Sequence, residues 1–199
     1  MRDEILAYKR ERILQEAVKL FYKRGFTGTT LDDIAAALGV TKPFIYTHFK
    51  SKVELLAAIG LPTIEMSVEA AATASDSPDP ASARLRRLVM DFTGVVMRRQ
   101  ANIAVYFREE MHLEPAARAE VDTKRKEFDR ILSALLREGV ASGEFHIPDV
   151  NLTALAIGGM ISWTYTWFRP NGRLGVEELS VRMADLASQM VGVRQPVAV

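Results

Sequence analysis

The chain has 199 residues, 48% hydrophobic and 26% charged, with a formal net charge of +1; this fits one or two globular domains and excludes a disordered chain. Cysteine is absent, which excludes disulfides, thiolate metal sites and a cysteine nucleophile and fits a reducing, cytoplasmic setting. The opening MRDEILAYKRERIL has no apolar core of a secretory signal, and no apolar run of bilayer length is expected, so no membrane partner is read.

The small net charge hides an asymmetry. Residues 1–60 hold ten Lys/Arg against seven Asp/Glu, or +3, and the remainder stands at −2. A basic head on a slightly acidic body points to a polyanion as partner of the head. Helical periodicity runs through nearly the whole chain and predicts an all-α fold of about nine helices. The first ends near Lys23 or Arg24 at Gly25, with Ile13, Ala17, Leu20 and Phe21 on one face. The second starts from a Thr30 cap with Asp33 at its third position, and Leu31, Ile34, Ala35 and Leu38 make its stripe. After the turn Gly39 to Thr41, a third helix spans 41–49 with Pro43 in its first turn. Ser51 and Glu54 predict a full capping box for the fourth, which continues to about Ala74 with a kink or break near Gly60 and Pro62. SDSPDP is a loop. Helices follow near Ala81–Arg99, Ala101–Met111, Pro115–Gly139, Val150–Phe168 and Val176–Val191, separated by Gly and Pro turn chemistry.

The third helix carries more large side chains than one buried face can hold. At roughly 100° per residue, Ile45 and Phe49 share one edge. Pro43, Phe44 and Thr47 fall on the far side, with Tyr46 and His48 on its two shoulders. Such an outward ridge suits a DNA major groove: crest residues reach base edges and shoulder residues meet phosphates. Thr30 and Thr41 add hydroxyls and backbone N–H groups at helix starts, and Lys42, Lys50 and Lys52 add charge. The same ridge would also serve a protein-interaction module.

The stretch RILQEAVKLFYKRGFTGTTLDDIAAALGVTKPFIYTHFKSKVELL resembles the DNA-binding domain of the TetR family of bacterial transcriptional repressors. The likeness lies in Phe21, Gly25 and Phe26, the TT cap and IA of the second helix, GV in the turn, and IYTHFKSKVELL. It implies two domains: residues 1–51, a helix-turn-helix DNA-binding domain, and 52–199, a helical ligand-binding and dimerisation domain. In that family the residues matching Thr30, Thr41, Tyr46, His48 and Lys52 meet phosphates, and those matching Lys42, Pro43, Phe44 and Thr47 face the bases. Phe44 departs from the small residue usual there; an apolar contact with a thymine methyl would account for it.

The family's second domain usually binds a small molecule. The stretch GGMISWTYTWFRPNGRLGVEELSVRMADL resembles the last two helices of a branch responding to acyl-CoA thioesters or related lipid and aromatic acids, through the ending from Trp167 to Glu178. These helices commonly form the family's dimer interface, and Gly158 and Gly159 would allow close approach. Met90, Phe92, Val96, Met97, Val105, Tyr106, Phe107, Met111, Trp163, Trp167 and Phe168 are candidates for an apolar lining, and Arg98, Arg99, Arg108 and Arg169 for an anionic end. From these, the expected ligand contacts are Phe92, Tyr106, Phe107, Arg108, Trp163, Trp167 and Arg169.

Catalysis finds no support. Glu109 and Glu110 are adjacent and point about 100° apart on a helix. His48, His112 and His146 lack metal-ligand spacing, and there is no nucleophile elbow, phosphate loop or HExxH. No cofactor or metal is expected. The reading is a homodimeric repressor, bound to double-stranded operator DNA and released by a small apolar or acyl-CoA-type effector.

Overall fold

The computed structural model describes residues 1–192; residues 193–199, the end of the expected second domain, lie outside the described residues. The helices are α1 (Arg2–Arg24), α2 (Leu31–Leu38), α3 (Lys42–Tyr46), α4 (Lys52–Ser75), α5 (Ala81–Arg98), α6 (Gln100–Glu109), α7 (Pro115–Ala141), α8 (Val150–Ser162), α9 (Thr164–Trp167) and α10 (Val176–Met190), with a 3₁₀ turn at Glu110–His112. No strand occurs among the described residues. The all-α expectation holds, and α9 is a single turn that succeeds α8, so the count of about nine holds as well. The chain divides into two compact units, Met1–Thr63 with Gln100–Val121, and Ile64–Arg99 with the chain from Asp122 onward.

In the first unit, Ile13, Ala17 and Phe21 are buried along α1, as their spacing predicts. Phe21 meets Phe26 edge-to-face at 5.4 Å. Gly25, at φ 78°, ends α1 in a backbone state that costs glycine nothing. The α6 end closes on this point. The buried Glu109 carboxylate accepts from the Phe26 N–H at 3.2 Å and from Arg108 Nε at 2.8 Å. The Arg108 guanidinium also donates to the Phe21 carbonyl, which already accepts from the Gly25 N–H, and to the Tyr22 carbonyl in the last turn of α1. His112 stacks on Phe26 at 4.8 Å.

Four expectations need correction in α3 and α4. The third helix is five residues long rather than spanning 41–49; its last turn continues as Thr47 N–H to Pro43 and Phe44, His48 N–H to Ile45, and Phe49 N–H to Ile45. The capping box of α4 is half formed: Ser51 Oγ accepts from the Glu54 N–H at 3.0 Å, but the Glu54 carboxylate turns to the Lys50 N–H at 2.7 Å. Helix α4 runs unbroken past Gly60 and Pro62. Gly60 has another reason: a Cβ there would collide with the ring of buried Tyr106. By length and composition α4 is also apolar enough to cross a bilayer, against the expectation that no such run exists. Its Leu55, Leu56, Ile59, Val68, Ala71 and Ala74 are buried within the protein.

In the second unit, α10 packs along α5, and α8 and α9 also lie against α5. Arg86 of α5 pairs with Asp185 of α10 at 2.6 Å. The expected helix Val150–Phe168 is broken at Trp163, which ends α8 and opens α9. Pro80 precedes α5 and offers no side-chain cap. Glu144 supplies one from the loop after α7, accepting from Ala81 N–H and Ser82 N–H at 3.0 Å each and from Ser82 Oγ at 2.7 Å. These bonds, the Ser82 backbone one foremost, hold its carboxyl down from 4.5 to about 2. A depressed carboxyl contributes its stability above the unfolded value. The Glu144 contribution is therefore complete above pH 4.5 and is lost as pH falls towards about 2. Glu144→Ala is expected to cost about 1 kcal/mol at pH 7, the usual worth of a helix cap. Urea unfolding of both proteins should show the difference shrinking across that acid window.

Candidate functional site

The site is built on the turn between α2 and α3. Thr30 caps α2 in a reciprocal box: its Oγ1 accepts from the Asp33 N–H at 3.1 Å, and Asp33 accepts from the Thr30 N–H at 2.8 Å and hydroxyl at 2.6 Å. Thr30 holds the Asp33 carboxyl below its ordinary value, the hydroxyl bond first. Gly39 stops α2 in the left-handed region at φ 67°, with open space around it. That conformation turns the chain into α3 within three residues.

Helix α3 is anchored by Ile45 and Phe49, 0% and 1% exposed. Of the five residues expected outside, three are exposed and two are half-buried. Pro43, Thr47 and Tyr46 are exposed, the last at 49%, and Phe44 and His48 are half-buried. Phe44 and His48 meet edge-to-face at 5.0 Å. Thr41 precedes α3 without forming a side-chain cap bond. The Thr47 hydroxyl turns back to the Phe44 carbonyl at 2.7 Å. Lys42 pairs with Asp32 at 2.6 Å, and this raises its pKa.

Lys52 is turned inward. Its ammonium donates to the Phe26 carbonyl at 2.6 Å and the Thr29 carbonyl at 2.9 Å and lies 4.2 Å from the Phe26 ring centroid. Two of its three donors thus hold the α1–α2 connection.

Two residues of α1 escaped the sequence reading. Arg10 donates to the His48 carbonyl at 2.6 Å and lies 3.9 Å from the Phe49 ring centroid. Lys9 places its ammonium 5.7 Å from the Phe44 centroid. Burial, then the charges of Lys9 and Arg10, push the His48 imidazole below its ordinary 6.5 and favour its neutral form. The signal was present in the sequence: Arg10 and Lys9 precede Ile13 by three and four residues and continue its face.

The residues proposed for a ligand fall in both units. Tyr106, Phe107 and Arg108 belong to the first: Tyr106 is buried against Gly60, Phe107 meets it edge-to-face at 5.6 Å, and Arg108 is held at the end of α1. Phe92, Trp163, Trp167 and Arg169 belong to the second. Phe92 is buried beside Phe128 at 4.5 Å. Trp163 and Trp167 are brought together on one open groove of about 820 Å³, whose other walls include Met160, Arg173, Leu174 and Leu186. Arg169 is exposed and donates to the Phe168 and Thr166 carbonyls at 3.0 and 3.4 Å.

Two family models match: "Bacterial regulatory proteins, tetR family" over residues 13–59, and "Tetracyclin repressor-like, C-terminal domain" over 78–191. The chain is 28% identical over 191 residues to the HTH-type transcriptional repressor KstR2 of Mycolicibacterium smegmatis, covering 95% of this chain and 92% of that protein. The solved structure of PfmR, a TetR family transcriptional regulator from Thermus thermophilus, is 34% identical with a TM-score of 0.84, covering 92% of this chain and all of that one. AibR, solved in complex with isovaleryl coenzyme A and operator DNA, is 26% identical with a TM-score of 0.76, covering 93% and 99%. The C-terminal model alone spans more than half of the chain, and the head has the family's helix-turn-helix: this protein belongs to the TetR family, whose members are DNA-binding transcriptional regulators and not enzymes.

Proposed function

We propose that the protein is a homodimeric repressor in which paired α3 helices enter successive major grooves of a near-palindromic operator, and that a small apolar or acyl-CoA-type effector releases it. The observation that carries the reading is the split of α3 and the turn after it into a buried edge, Ile45 and Phe49, and an outward ridge in which Pro43, Tyr46 and Thr47 are exposed and Phe44 and His48 half-buried. Phe44, Pro43, Lys42 and Thr47 are the base-facing group. Thr30, Thr41, Tyr46 and His48 are the phosphate group, with the remaining donor of Lys52. The His48 imidazole contributes an N–H donor in either protonation state. Reading the ridge as a protein-docking surface gains no such support, and salt separates the two: counterion release weakens DNA binding steeply as salt rises.

The dimer rests on α8 and α10. Leu152, Leu155, Gly159 and Trp163 share an exposed face of α8, with Trp163 63% exposed, and Leu186 and Met190 are exposed on α10. Leu179 and Met183, apolar residues of α10, are buried within the protomer. Gly158 and Gly159 have open space where a Cβ would stand, which leaves room for a second copy to approach.

The effector reading draws on the likeness to AibR and on the aromatic content of the second unit. Arg169, which is exposed and donates to two backbone carbonyls of its own segment, can turn towards an anion. Arg108 is fixed at the end of α1. A ligand can release DNA only by binding the non-DNA-competent state better.

Three outcomes are expected. Tyr46→Phe weakens binding to all duplexes alike, whereas Phe44→Ala relaxes preference at one base pair; selection from a random duplex pool reads both. A change of preferred base in Tyr46→Phe would contradict the division into crest and shoulder. Gly159→Leu, at a position with room inside the protomer, converts the dimer to monomer by overpacking the crossing; sedimentation as an unchanged dimer would remove α8 from the interface. Titration of the protein–DNA complex with acyl-CoAs, the matching free acids and neutral apolar compounds should show release by the thioesters, lost in Arg169→Ala with operator binding intact. Release by the neutral compounds and not the thioesters would end the acyl-CoA reading.

A further inference from the structure

Helix α1 begins at Arg2, but the family's N-terminal model matches only from residue 13. About three turns of helix therefore precede the matched head. Their face is the continuation of the one that carries Ile13, Ala17 and Phe21, and it passes beside α3. Arg10 is fixed there by the His48 carbonyl and the Phe49 ring. Lys9, one residue earlier, is exposed, and its ammonium lies beside the Phe44 ring, which itself meets His48.

Of the other cations around α3, three are committed, and Lys50 is exposed beyond Phe49 with no ion pair among the described residues. Lys42 is paired with Asp32, Lys52 is bonded to two carbonyls, and Arg10 is held by His48 and near Glu54. Among the described residues Lys9 forms no ion pair. A lysine that is exposed and oriented by an aromatic face loses less freedom on meeting an anion than a free surface lysine. It stands next to His48, a shoulder of the ridge, where a groove-bound α3 has a phosphate rim.

We infer that the N-terminal extension of α1 enlarges the DNA-binding surface, with Lys9 contacting a backbone phosphate on the rim shared with His48. The inference rests on the reading of α3 as the groove-entering helix. Lys9 acts as a positioning contact and carries no sequence information, because a phosphate is the same at every base pair.

The test is equilibrium binding of the full chain to two labelled duplexes, one selected by the protein from a random pool and one with its sequence scrambled, across about 50 to 200 mM salt. Lys9→Ala is expected to lower the slope of log affinity against log salt by about 0.9 per protomer, about 1.8 for the dimer, on both duplexes. Lys9→Arg should restore the slope, and thermal unfolding of both variants should match wild type because the side chain is exposed. Unchanged affinity and slope in Lys9→Ala, with wild type binding normally, would overturn the Lys9 contact and leave the α3 reading standing. A shift in the preferred base in Lys9→Ala would also overturn it, in favour of a base-reading role. Wild-type binding to neither duplex in a salt-dependent way would instead bring down the α3 reading, and this inference with it.

Discussion

The burial of Ile45 and Phe49 is the constraint on which the head depends. A helix of five residues has no stability of its own, because nucleation costs more than so few hydrogen bonds return. Helix α3 exists because two side chains, four residues apart, are held in the core of the first unit. Pro43, Tyr46 and Thr47 are thereby turned outward, with Phe44 and His48 half-buried beside them. The crowding of large residues on so short a helix is the consequence of that division.

The neighbours of α3 reinforce it from several directions. Gly39 directs the chain out of α2 and Pro43 starts the next helix without an N–H to satisfy. Arg10 reaches back from α1 to the His48 carbonyl, one of the groups that a helix end leaves unpaired. Lys52 ties down the loop between α1 and α2 through two carbonyls. The price of this rigidity is that the lysines nearest the ridge are largely occupied.

The second hold on the head is the α6 end. Segment 100–121 is separated from residues 1–63 in sequence but belongs to the same compact unit. Glu109 is a buried carboxylate, and burying a charge is unfavourable unless it is paired and hydrogen-bonded. Here the Phe26 N–H and Arg108 meet that requirement, and Arg108 in turn donates to the Phe21 and Tyr22 carbonyls in the last turn of α1. Through these bonds α6 fixes the end of the helix that also supports α3.

Much of the head was legible in the sequence because its determinants are local. The Thr30–Asp33 box, the Gly25 and Gly39 stops and the alternation of buried and outward residues on α3 all lie within a few residues of one another. The same holds for the all-helical class, since periodicity of 3.6 is a short-range property. The reading failed where the deciding partner is remote. Glu54 turned to Lys50, and α4 ran through Pro62 because its apolar residues are buried along its length. Gly60 looked like a break, but its role is set by Tyr106; Glu144 looked like turn chemistry, but it caps a helix more than sixty residues away. Lys52 and Arg108 read as anion binders by charge, and which donors each has left is set by carbonyls that no local pattern reveals. The sequence by itself determined the all-helical class, the stops of α1 and α2, the start of α2 and the two-faced α3, because those follow from backbone preference and side-chain period. Only the tertiary structure decided which cations are committed, which glycines face rings or open space, and that Lys9 lies beside Phe44, because such facts depend on contacts between segments distant in the chain.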